Sequence, residues 1–282
     1  MTPLRQRMIE KLQLKNYSTK TQQMYVAAVA HFAQHFGRSP DQLGPADIHE
    51  WQLHLKDQHH VSWSAFNVNM CALRFFYRQV LERDEIIPRL SFMRTEKPLP
   101  VVPSPEEVCR FLDAIDNDHY RMVLSIAYGC GLRLQEVTRL EVGDIDSKRM
   151  VIHVRQGKGK KDRYVMLSPI LLKVLRQYWQ RYQPRPLLFP SPRDRSRPLN
   201  PTTIQKTCKR ICEKAGLGKK LTPHSLRHAF ATHLVENGTD LAIVQALLGH
   251  TNIQTTRIYA RISNKTIRAV ISPFDRLPPS RR

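Results

Sequence analysis

The chain has 282 residues, enough for two modest domains, and 41% of them are hydrophobic, so each domain has material for a packed core. Its 45 Lys and Arg outnumber 24 Asp and Glu, for a formal net charge of +21. That excess points to a polyanionic partner, and the absence of any long apolar run excludes a membrane span.

No amphipathic segment carries the aromatic face of a membrane-surface anchor, which puts nucleic acid ahead of anionic lipid. The opening MTPLRQRMIEKLQLK has no apolar stretch of the secretory kind. The five cysteines are odd in number and scattered, which suits reduced thiols. A cytoplasmic setting is the expectation.

The first 93 residues read as a helical domain. Thr19 with Gln22 suggests a capping box, and Tyr25, Val29, Phe32 and Phe36 follow at near-helical spacing up to Gly37. A second helix is expected over 45–56. A third is expected over 64–83, with Phe66, Met70, Leu73, Phe76 and Val80 as its buried stripe. Residues 94–105 (RTEKPLPVVPSP) hold four prolines and read as an extended, stiff linker.

From 106 to 282 the pattern is mixed. Ser104, Pro105, Glu106 and Glu107 form a helix start. A buried helix is expected from Asp118, broken by Gly129 and Gly131. Segments 151–155 (VIHVR) and 163–167 (RYVML) flank a Gly-Lys turn and read as a β-hairpin. Asn200-Pro201 opens a helix with Ile204, Cys208, Ile211 and Ala215 on one face, while Lys206, Lys209, Arg210 and Lys214 point elsewhere. Short helices are expected from Thr222, Asp240 and Thr251. The fold class is mostly α with a small antiparallel β-sheet.

Five short motifs carry reactive or phosphate-binding groups: GLRLQEV (131–137), QGKGKKDR (156–163), HSLRH (224–228), LLGH (247–250) and the segment ending at Tyr259. Each alone has a plain structural explanation. Thr222 as cap and Pro223 at the first helical position put His224 and Arg227 on one face of a first turn, where the helix dipole favours an anion. Arg133 follows a glycine break, with Glu136 one turn on to hold a basic partner. Lys158 sits between two glycines that admit close approach of a ligand. Lys160, Lys161 and Arg163 make that turn strongly basic. His250 follows a short apolar helix, and Tyr259 lies nine residues beyond it.

In this order and spacing, Arg133, Lys158, His224, Arg227, His250 and Tyr259 resemble the active site of the tyrosine recombinases, also called the phage integrase family. The resemblance covers roughly 104–271 and is most like the short Xer-type and transposon-associated members. The N-terminal part looks like that family's core-binding domain. Gln135, at a place often filled by Ser, and His228, directly after the H-x-x-R motif, are small departures.

The resemblance implies a DNA strand-exchange enzyme with Tyr259 as nucleophile. His224 would accept its proton, Lys158 would protonate the departing 5′ oxygen, and Arg133 and Arg227 would fork onto the non-bridging oxygens. A free tyrosine, with pKa about 10, is only about one part in a thousand ionised at pH 7, a shortfall of about 4 kcal/mol that such neighbours must offset. Lys160, Lys161, Arg163, Lys206, Lys209 and Arg210 are the expected DNA contacts. No cofactor or metal is expected, since the phosphotyrosine would conserve the bond energy and the arginines would neutralise charge. Cys208 and Cys212 read as core or surface thiols. The partners implied are double-stranded DNA and further copies of the chain, as a tetramer on DNA. A stripe of Ile267, Val270 and Ile271 in the tail is a candidate for docking into a neighbouring copy. Competing readings are a type IB topoisomerase-like activity, a non-catalytic DNA-binding regulator, and a metal-dependent nuclease.

Overall fold

Proline and capping residues punctuate the chain where its elements begin. A computed structural model describes residues 2–58, 61–93, 100–155, 162–250 and 256, apart from the side chains of 58, 87 and 89. Two compact units result, Met1–Lys97 and Pro98–Arg282, and the division falls within the proline-rich segment.

The first unit is helical. It holds α1 (Pro3–Leu14), α2 (Thr19–Phe36), α3 (Pro45–Leu53) and α4 (Trp63–Phe75). Two of these run on into π-helical turns, His54–Gln58 and Phe76–Val80, and a 3-10 turn spans Asp84–Arg89. The cap of α2 is Ser18, not Thr19: its hydroxyl accepts from the Thr21 amide at 3.2 Å, and the Gln22 side chain instead donates to the Tyr17 carbonyl at 2.8 Å. Gly37 closes α2 in the left-handed region, φ 61°. The helix expected over 64–83 stops at Val80, its last turn widened to π geometry. Val29 and Phe32 of α2 are buried with Phe66, Met70, Leu73, Phe76 and Val80, while Tyr25 and Phe36 pack against that core half-buried.

In the second unit, Ser104 caps α5 (Pro105–Asp113) at the expected helix start, with reciprocal bonds to Glu107. Asn117 caps α6 (Asp118–Gly129), whose Val123, Leu124, Ile126 and Ala127 are wholly buried. After α7 (Leu134–Thr138) come β1 (Ile145–Asp146), β2 (Val151–Val154) and β3 (Arg163–Met166), antiparallel in the order β1-β2-β3. Val154 pairs with Arg163 and Ile152 with Val165, so the expected hairpin stands and the short β1 adds a third strand. Strand alternation sends Ile152, Val154 and Val165 into the core. His153 and Tyr164 stack on the other face at 4.9 Å.

Four helices complete the described part: α8 (Pro169–Tyr182), α9 (Pro201–Lys214), α10 (Pro223–Glu236) and α11 (Leu241–Leu248). On α9, Ile204, Cys208, Ile211 and Cys212 are buried and Lys206, Lys209, Arg210 and Lys214 exposed. Burial pushes the Cys208 thiol up to about 12, and Cys212 accepts the Leu221 amide at 3.2 Å, so both are core thiols. Helix α10 packs against α6, and two residues past the end of α6 Gly131 has a φ of 63° that suits glycine; a Cβ there would stand 2.3 Å from the Phe230 ring. The fold is mostly helical with one small antiparallel sheet, as the sequence implied. No described helix is long and apolar enough to cross a membrane. The helix expected from Thr251, with Tyr259 and the 267–271 stripe, lies outside the described residues except Thr256, which is helical and buried.

Candidate active site

The centre of the second unit is built around one carboxylate. Arg133 caps α7, and the Glu136 side chain folds back over it. The Arg133 amide donates to Glu136 Oε2 at 2.8 Å and its Nη1 to Oε1 at 2.9 Å. Arg163, the first residue of β3, forks onto the same group, Nη1 to Oε1 at 3.0 Å and Nη2 to Oε2 at 2.8 Å. Its Nε reaches the Leu247 carbonyl at 2.9 Å. Arg227 of α10 stands 3.8 Å from Glu136 through Nη1. Burial alone would raise the Glu136 pKa; the hydrogen bonds and charge of Arg163, with those of Arg133, outweigh it and hold the carboxyl at about 2.

Arg227 is only 2% exposed. Its Nη1 donates to the Gly131 carbonyl at 2.6 Å and its Nη2 to the Leu248 carbonyl at 2.5 Å, joining the ends of α6 and α11. The same Nη2 lies 3.3 Å from His250 Nε2, and His250 Nδ1 lies 3.1 Å from Thr256 Oγ1. The His250 backbone is held from both sides: its amide donates to the Gln245 carbonyl, and the Gln245 side chain donates to the His250 carbonyl at 3.0 Å.

His224 sits in the first turn of α10, which Thr222 caps through the Ser225 amide at 3.1 Å. Its rim reaches solvent, yet its pKa is lowered by desolvation and by the charges of Arg227 and Arg133. The His228 ring meets it edge-on at 4.2 Å. Desolvation, His224 and Arg227 push His228 down to about 4. Both imidazoles are therefore neutral at pH 7.

Among the described residues, three guanidinium charges surround a single carboxylate. The cluster keeps a net positive charge, and Arg133, with a side chain 28% exposed, carries it to the surface. Such a centre attracts an anion and supplies planar donors to its oxygens, with a neutral imidazole beside it as a proton acceptor.

The structure thus brings together Arg133, Glu136, His224, Arg227 and His250. Lys158, Lys160, Lys161 and Tyr259 lie outside the described residues. Lys206, Lys209 and Arg210 stand on the exposed face of α9. Arg163 differs from its expected place among DNA-facing residues: its side chain is 12% exposed and turned inward onto Glu136 and Leu247. A signal for this was present, since strand alternation puts Arg163 on the same face as buried Val165. His228 stood out only by its place after the H-x-x-R motif, not by its packing on His224, and Gln245 and the accepting carbonyls of Gly131 and Leu248 carried no sequence signal.

This chain belongs to the phage integrase family, the tyrosine recombinases, a class of enzymes that cleave and rejoin DNA. Residues 103–266 match the phage integrase family and residues 4–86 match the phage integrase N-terminal SAM-like domain. Within the class it is of the Xer and transposon-integrase type. It is 43% identical over 282 residues to the protein y4qK of Sinorhizobium fredii, covering 99% of this chain and 90% of that one. It is 33% identical over 262 residues to the tyrosine recombinase XerA of Pyrococcus horikoshii, covering 92% and 89%. Its fold is similar to the XerH site-specific recombinase bound to a palindromic difH substrate, with TM-score 0.74 and 21% identity over 94% of this chain and 83% of that one.

Proposed function

We propose that this protein is a site-specific DNA recombinase that breaks and rejoins strands through a 3′-phosphotyrosyl intermediate on Tyr259. The observation that carries the reading is the arginine cluster around Glu136, which leaves uncompensated positive charge beside a neutral histidine. A phosphodiester gains charge on its non-bridging oxygens at the transition state, and Arg133 and Arg227 are the groups that meet it. Fixed donors of this kind contribute about 10²–10³ in rate each. His250 adds a further donor when its Nε2, which accepts from Arg227 in this arrangement, carries the proton and turns to the phosphate.

In the cleavage step the Tyr259 Oη–P bond forms and the P–O5′ bond breaks. His224 takes the tyrosine proton and Lys158 gives one to O5′. The desolvation and neighbouring cations that lower the His224 pKa keep it unprotonated at pH 7, as a base requires. A 5′-hydroxyl from a second duplex then reverses the step, so the bond energy is retained and neither ATP nor a metal takes part. Lys160, Lys161, Lys206, Lys209 and Arg210 contact the DNA backbone, and binding weakens steeply with salt. Exchange between two duplexes calls for several copies of the chain on DNA, in this reading a tetramer.

Suicide substrates nicked near the cleavage site test the proposal. A denaturation-resistant protein–DNA adduct is expected, and Tyr259→Phe should abolish it; an adduct that persists in the variant rejects the nucleophile. Relaxation of supercoiled plasmid without exchange between sites would favour the topoisomerase-like alternative. DNA binding with no adduct at all would favour a non-catalytic regulator.

A further inference from the structure

We infer that Arg163 is a positioning residue for strand cleavage, holding Arg133 and His250 in one fixed register. The inference rests on the reading that Arg133 takes a non-bridging phosphate oxygen. Three elements far apart in sequence meet on this one side chain. It leaves from the start of β3, forks onto Glu136 at the head of α7, and donates to the Leu247 carbonyl at the end of α11, next to the loop that carries His250.

The geometry at Glu136 shows what Arg163 does to Arg133. Each carboxylate oxygen accepts one bond from Arg133 and one from Arg163. The rigid guanidinium of Arg163 therefore fixes the carboxylate plane, and with it the direction in which Arg133 Nη1 is held. Remove Arg163 and the carboxylate is left to rotate onto Arg133, drawing that guanidinium away from the phosphate. At its other end Arg163 packs on Gly249, the residue before His250. Gly249 has φ 60°, and a Cβ there would lie 3.1 Å from Arg163 Cδ and 3.2 Å from Nε. The missing side chain is what lets Arg163 reach the Leu247 carbonyl. A lysine has one compact ammonium in place of a planar fork, so it cannot hold both carboxylate oxygens and that carbonyl in the same plane.

A strut that served only the fold would slow every substrate alike, and this separates the two roles. Adduct formation is measured on full-length protein with two scissile linkages. One is the native phosphodiester. The other is a methylphosphonate, in which a methyl group replaces one non-bridging oxygen and the linkage is neutral. The neutral linkage makes far less demand on arginine alignment, while the Tyr259 Oη–P bond still forms and P–O5′ still breaks. For Arg163→Ala we expect helix content and DNA affinity close to wild type, with native cleavage slowed about 100-fold. On the methylphosphonate the deficit should shrink to about tenfold or less of wild type. Arg163→Lys keeps the charge and should show the same pattern, and it carries the test if the alanine variant fails to fold. Equal losses on both linkages, or native cleavage within about threefold of wild type, overturn the inference. Arg133→Ala is run beside them. If the neutral linkage does not rescue Arg133→Ala, it is the underlying reading of Arg133 that fails; if it rescues Arg133→Ala but not the Arg163 variants, only the positioning role falls.

Discussion

Both units bury an apolar core, but among the described residues only the second sets buried charges into it. In the first, the core is apolar and aromatic: Phe32 meets Trp51 edge-on at 5.9 Å, and Phe66, Met70 and Phe76 close around them. Its buried Tyr77 is neutral, and its hydroxyl donates towards the carbonyls of Pro40 and Leu43. The second unit buries Arg227 at 2% exposure beside Glu136 at 7% and Arg163 at 12%. Taking ions out of water costs several kcal/mol each, and apolar groups of the same volume often do as well for stability. A core of the first kind needs only to be stable. A core of the second kind carries a cost that makes physical sense when the retained charge meets an anion.

The sharpest way to break that contrast is to remove one member from each core. Glu136→Ala leaves Arg163 and Arg227 buried without their carboxylate and should cost about 3–5 kcal/mol of unfolding free energy. Phe32→Ala opens a cavity and should cost a similar ~3–5 kcal/mol. Urea unfolding measures both. The difference should appear in cleavage: under folded conditions Phe32→Ala still forms adduct, whereas Glu136→Ala loses it along with the alignment of Arg133. Equal cleavage by the two folded variants would mean that the charged core is structural after all.

Acid should also separate the units. The folded Glu136 carboxyl sits at about 2, held there by Arg163 and Arg133 against the opposing effect of burial. Its unfolded value is about 4.3. A depressed carboxylate contributes stability that is complete above the unfolded value and is lost as pH falls through that value towards the folded one. Hydrogen exchange on the intact chain, between about pH 4.5 and 2, should therefore show amides of α7 and β3 opening before those of α2 and α4. The reverse order would show that the apolar core is the weaker one.

A smaller and purely kinetic effect concerns His224. Its pKa is lowered by desolvation, then by Arg227 and Arg133, so its neutral form persists to a lower pH than an ordinary histidine's. The acid limb of the adduct-formation rate should therefore fall below about pH 6.5, the ordinary value. A limb at or above that value would remove His224 from the role of base.

These contrasts also mark where the sequence was legible. Arg133, His224, Arg227 and His250 were readable because each sits beside a local signal, such as a glycine break, a capped first turn or a helix end, and because their order is diagnostic together. The capped starts of α5, α9, α10 and α11 were legible for the same local reason. Strand alternation marked Arg163 as inward-facing, but not what it holds, because its partners lie 27 and 84 residues away and no local pattern encodes them. The depth of Arg227 was hidden likewise: helical spacing gives a face, but not the Gly131 and Leu248 carbonyls that fill it. Strand β1 is two residues long, too short for alternation to register.

The mildest effect tests the one cap that was misplaced, and it lies in the apolar unit. Both Ser18 and Thr19 are residues of the type that caps helices, so sequence alone chose between neighbours. The structure gives the cap to Ser18, whose backbone is extended (φ −61°, ψ 148°) and whose hydroxyl accepts the Thr21 amide. Thr19 is the first helical residue. Ser18→Ala should therefore lower stability by about 1 kcal/mol, within the usual range for loss of a cap, and Thr19→Ala by much less. Because α2 packs on α4 within the first unit, the loss should appear in unfolding of that unit and leave adduct formation at saturating DNA unchanged. A larger cost at Thr19 than at Ser18 would move the helix start by one residue and reassign the cap. A fall in cleavage under saturating, folded conditions would show that the apolar unit does more for catalysis than supply a stable core.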